Sequence, residues 1–96
     1  MVHDSLQARR QRSDETLMAL SDDIEYKTRL AYPDVDTNTL EDLAVMYFCG
    51  SLAEPEMKLS VCRGRPTTLT QALSYAIEYD SIVKSTGAES RNLKKP

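Results

Sequence analysis

Apolar residues recur at helical spacing in four stretches of this chain, and polar turns separate them. In the first, Leu17, Leu20, Ile24 and Ala31 fall three to four residues apart or in multiples of that step. Ser13 stands where an N-cap is expected, and Asp14 and Glu15 would follow it at the positive end of the helix dipole. Tyr32 precedes Pro33, whose ring pushes the residue before it out of the α region, so the helix should stop there. After the polar connector 33–38, Thr39 offers an N-cap with Asp42 at its third helical position. Leu40, Leu43, Ala44, Tyr47 and Phe48 then form one face, and Gly50 occupies the usual place of a left-handed C-terminal cap.

Pro55 suits the first position of a short third helix, because no partner is needed there for its missing N–H. Met57 and Val61 lie one turn apart on its inward side, and Arg63-Gly64-Arg65-Pro66 ends it. Thr68-Leu69-Thr70-Gln71 has the form of a capping box. Leu69, Ala72, Leu73, Ala76, Ile77 and Val83 continue that helix until Gly87 closes it. Tyr75, Tyr79 and Ile82 make a second stripe, expected to cover the first helix. The pattern predicts an all-α fold, a compact bundle of four helices over residues 13–86. Residues 1–12 read as a flexible leader and residues 87–96 as a basic flexible tail.

Composition narrows the function. The 96 residues suit one domain with a thin core, since a chain of this size hides only about 60% of its unfolded surface. Net charge is −3, opposite to the surplus that a duplex-binding surface needs to displace counterions. Arg9, Arg10 and Arg12 crowd one end and Arg91, Lys94 and Lys95 the other, so nucleic acid is expected only indirectly, through flanking regions. No apolar run approaches the roughly 20 residues of a membrane span. Cys49 and Cys62 are too few for a disulfide framework or a four-ligand zinc site, and a reduced, cytoplasmic setting is expected. Both thiols read as buried small apolar groups rather than reactive ones.

Catalytic chemistry finds no footing. The single histidine, His3, lies in the leader, where nothing would hold it against a nucleophile. Asp22, Asp23 and Glu25 fall on an expected solvated face, and the three glycines are isolated rather than clustered around a phosphate. No cofactor, metal or small-molecule substrate is expected, and the chain reads as non-enzymatic. What remains is surface. With the apolar face of the second helix turned inward, Glu41, Val45, Met46 and Cys49 lie on its other side. Three apolar side chains there make either an ordinary greasy surface or a partner-binding patch.

Several segments, in order, resemble the C-terminal capsid domain of retroviral and gypsy-type retrotransposon Gag proteins. Gln11-x-x-x-Glu15 resembles the start of that family's major homology region, with Leu17, Leu20 and Ile24 at matching apolar spacings. Ala31-Tyr32-Pro33 ends the first helix as in many such sequences. Phe48-x-Gly50-x-Leu52 is similar to a Phe-x-x-Gly-Leu stretch after the second helix, although here the Gly follows Phe more closely. Ala53-Glu54-Pro55-Glu56-Met57-Lys58 looks like the start of the third helix, and Arg65-Pro66-Thr67-Thr68-Leu69 with Ala72-Leu73 like that of the fourth.

The resemblance covers roughly residues 10–84. It implies a structural module that joins neighbouring subunits of a capsid lattice, as a homodimer or higher assembly, through Glu41, Val45, Met46 and Cys49 on the second helix. It gives Gln11 and Glu15 a structural role. Retroviral members also carry an Arg eight residues after the Glu, in a hydrogen-bond network with the Gln and Glu. Here that position is Asp23, so either the network is wired differently or the position has drifted. A domesticated Gag-like adaptor that holds a peptide of a partner protein is the alternative.

Overall fold

A computed structural model describes the backbone over residues 6–94 and side chains through residue 85. Every regular element among the described residues is helical. Residues 6–8 are helical. Four bounded helices follow: α1 (Leu17–Ala31), α2 (Thr37–Ser51), α3 (Pro55–Arg63) and α4 (Leu69–Lys94).

The sequence sets most of the boundaries through polar caps. Thr16, in extended conformation, accepts a hydrogen bond from the Ala19 amide at 3.1 Å and starts α1. The first cap is therefore Thr16 and not Ser13, which lies in a preceding turn. Asp36 accepts from the Thr39 amide at 2.8 Å, so α2 starts three residues earlier than a Thr39 cap would place it. The Thr39 side chain and then its amide hold the Asp36 carboxyl below its ordinary range. Thr68 accepts from the Gln71 amide at 3.1 Å, and Gln71 Oε1 in turn accepts from the Thr67 amide at 2.7 Å. The capping box is thus present, displaced by one residue on its return bond.

The glycines behave differently from expectation. Gly50 is an interior residue of α2, which ends at Ser51 with Leu52 extended. Gly87 does not close α4, whose backbone runs on to Lys94. The left-handed residue after α3 is Arg65, with φ of 50°, while Gly64 keeps a right-handed conformation. Gly64 matters for another reason. A Cβ there would lie 2.7 Å from the Tyr75 ring, so the absence of a side chain lets α4 approach the end of α3.

The helices meet around one apolar interior. α4 packs along α3, α2 and α1, while α2 also contacts α1 and α3. Leu20 and Ile24 of α1, Ala44 and Phe48 of α2, Met57 and Val61 of α3, and Ala72 and Ala76 of α4 are all buried. Burying each larger one contributes roughly 1.5–3 kcal/mol. Tyr32 and Tyr47 stack at 6.4 Å between centroids and share a 2.7 Å hydroxyl hydrogen bond. That bond, helped by burial, pushes the Tyr47 phenol up to about 12. Thr28, fully buried, is satisfied by donating to the Ile24 carbonyl at 2.6 Å.

Two expectations about the periphery change. The leader belongs to the packed molecule from residue 6 onward: Leu6 is only 1% exposed and joins the core, and Arg9 is buried beside it. Residues 1–5, with His3, lie outside the described residues, as do the side chains of Arg91, Lys94 and Lys95. Tyr75 and Tyr79 cover α3 rather than α1. Tyr75 lies over Gly64, and the Tyr79 hydroxyl reaches Glu54 at 3.4 Å and Glu56 at 3.3 Å on the first turn of α3.

Candidate functional site

Two regions concentrate the residues singled out in the sequence. The first joins the chain ahead of α1 to α1 itself. Arg9 lies in the short segment after residue 8 and sends its guanidinium inward. Its Nε donates to Asp23 Oδ2 at 2.8 Å, its Nη2 donates to Glu15 Oε2, and its Nη1 donates to the Arg10 carbonyl at 2.6 Å. Lys27, one turn beyond Asp23, adds an ion pair at 3.1 Å. Two cations and two carboxylates thus form one compact cluster, with Arg9 and Glu15 nearly closed to solvent.

The electrostatics follow from these bonds. The Arg9 hydrogen bond holds the Glu15 carboxyl below its usual range against the opposing effect of burial. For Asp23, burial pushes upward, and hydrogen bonds from Arg9 and Lys27 outweigh it to leave a lowered value. Asp23 is therefore half-buried in an ion cluster and not on an open solvated face. Glu25 does face outward, pairing with Arg29 at 3.2 Å.

Gln11 completes the tie. Its amide N–H donates to the Ser51 carbonyl at 2.8 Å, its side-chain Nε2 to the Glu15 carbonyl at 3.1 Å, and its Oε1 accepts from Ala53 at 3.5 Å. Gln11 and Glu15 are therefore structural partners that connect the start of α1 with the end of α2. Position 23 holds an acceptor, and a cation of the cluster comes from Arg9. Sequence reasoning missed Arg9 because it was counted among exposed basic residues. Glu15 lies just ahead of α1 and Asp23 within it, and the chain's return along α1 brings Arg9 to both.

The second region is the outer side of α2. The four residues expected there do not share one role. Met46 is 54% exposed, and Val45 is half-buried with its inner side against the core. Cys49 is buried, contrary to its expected outward position. Glu41 is turned toward α4, where its carboxylate accepts from the Leu69 amide at 2.7 Å and caps that helix. Val45, Met46 and Cys49 line a shallow depression of about 390 Å³ together with Cys62 and Pro66, and Lys58 and Arg65 stand at the same place. Its walls are largely apolar, with cations and no carboxylate.

A wider groove of about 580 Å³ lies between the start of α1 and the middle of α4. Leu17, Met18, Met57 and Ile77 supply its apolar wall, with Met18 and Ile77 exposed. No group of three or more His, Cys, Asp or Glu side chains suited to a metal occurs among the described residues. None of their helices is long and apolar enough to cross a membrane. Comparison with family models, with curated proteins and with solved structures finds no match to this chain.

Proposed function

We propose that this chain is a structural self-assembly module, a Gag-like capsid C-terminal domain that pairs with a second copy through the outer side of α2. The observation that carries this reading is the apolar depression at Val45 and Met46, on the helix the family resemblance singles out. Met46 projects beside it, so a two-fold arrangement can place each Met46 into the other subunit's depression. Such a pairing needs only one self-complementary patch. The fixed Gln11–Glu15 tie is further support, since the resemblance gives those residues a structural role. In this proposal the module has no catalytic step, and nucleic acid is engaged only through flanking regions.

A patch on one short helix buries less than a standard interface of about 1,600 Å², so the dimer should be weak. Met46→Asp is the cleanest test, because Met46 is mostly exposed whereas Val45 and Cys49 also support the core. Sedimentation equilibrium over a wide concentration range should show a wild-type monomer–dimer equilibrium. The variant should dissociate at least about tenfold more readily, a cost of about 1.4 kcal/mol. Equal association of the two proteins, or a strict wild-type monomer, would defeat the proposal.

The groove between α1 and α4 favours a second reading, an adaptor that holds a partner's peptide against Met18 and Ile77. It predicts a monomer at all concentrations whose NMR signals near those residues move on adding an amphipathic peptide and not on dilution.

A further inference from the structure

The two cysteines come from different helices and open onto the same depression. Cys49 is near the end of α2 and 7% exposed, whereas Cys62, near the end of α3, is exposed and not buried as expected. Burial pushes the Cys49 thiol up to about 12, and the neighbouring Cys62 thiol adds to that shift through its charge and a hydrogen bond, while Lys58 opposes it. Cys62 lines the same depression as Cys49 and is contributed by the adjoining helix. One sulfur meets solvent, and the other waits behind it.

We propose that Cys49 and Cys62 form a reversible dithiol–disulfide site that closes on oxidation by a small-molecule disulfide and ties α2 to α3. Cys62, being accessible, loses its proton and attacks the small disulfide, forming a mixed disulfide and releasing one small thiolate. Cys49 then loses its proton and attacks the Cys62 sulfur, forming the internal S–S bond and releasing the second thiolate. The two protein thiols lose two electrons and two protons, and the small disulfide is reduced to two thiols. The buried Cys49 resists ionisation, so the second step is the slower one and the mixed disulfide precedes the internal bond. The site lies within a single subunit and stands independently of the assembly proposal.

The test uses the whole chain equilibrated in buffers of oxidised and reduced glutathione, folded in water and, separately, unfolded in urea. Acid quenching followed by intact mass and peptide mapping reads the products. The folded chain should lose two hydrogens, carry no glutathione at equilibrium, and yield a Cys49–Cys62 linked peptide. Its equilibrium constant for disulfide formation should exceed that of the urea-unfolded chain by about tenfold or more, since folding holds the sulfurs together. Cys49→Ser should instead retain one glutathione on Cys62. A folded wild type that ends as a stable Cys62 adduct would overturn the proposal. An equilibrium constant no greater than that of the unfolded chain would do the same, and that comparison needs no variant to fold.

Discussion

At the scale of single residues, Arg9 has more polar partners than any other described side chain. It is buried and satisfied by Glu15, Asp23 and the Arg10 carbonyl. Removing one member of a buried ion cluster leaves its partners desolvated without compensation, which costs far more than losing an exposed pair. Arg9→Gln should destabilise the fold by about 3 kcal/mol, read as a lower urea midpoint with little change in slope. Breaking the exposed Glu25–Arg29 pair should cost under about 1 kcal/mol in the same assay. Gly64 makes a different demand, for space rather than charge. Gly64→Ala would press a methyl group against the Tyr75 ring, and a loss of about 1 kcal/mol is expected in thermal or urea unfolding. Neither role was legible in the sequence. Arg9 meets Asp23 only because the chain folds back along α1, and no periodicity encodes that return.

At the scale of elements, the apolar spacing is enough to find the four bounded helices and most of their buried faces, but not the helical residues 6–8. Leu20 and Ile24, Tyr47 and Phe48, Met57 and Val61, and Ala72 and Ala76 are buried as their spacing predicts. The ends were harder. Where several capping residues stand close together, as Ser13 and Thr16 or Asp36 and Thr39 do, each satisfies the local rule. Tertiary contacts select between them. Glu15 is drawn toward Arg9, which leaves Thr16 as the residue that caps α1. The α4 cap is better determined, because Thr68, Gln71 and Glu41 all serve its first turn. Thr68→Ala should cost about 1 kcal/mol, measured by thermal unfolding. On the outer side of α2, Met46 is exposed and Cys49 is buried. A helix flanked by α1, α3 and α4 has less open surface than a single-sided helical wheel suggests.

For the molecule as a whole, the ion cluster sets an acid limit. Glu15 and Asp23 both titrate below their ordinary values of 4.5 and 3.8 when folded. Depressed carboxyl groups contribute stability that is fully present above the unfolded values and lost as pH falls through the folded ones. Urea midpoints should therefore stay level with respect to this cluster from neutrality down to about pH 5.5, then decline through and below 4.5 and 3.8. Arg9→Gln should flatten that part of the decline, and an unchanged acid profile in the variant would contradict the assignment. The Arg9 and Gln11 ties also determine how the domain bears load. A pull on the chain at residue 6 reaches the ion cluster and the Gln11–Ser51 bond before it reaches the end of α1. Tension from that side is shared between α1 and α2 in shear, and the helices are not unwound from their ends.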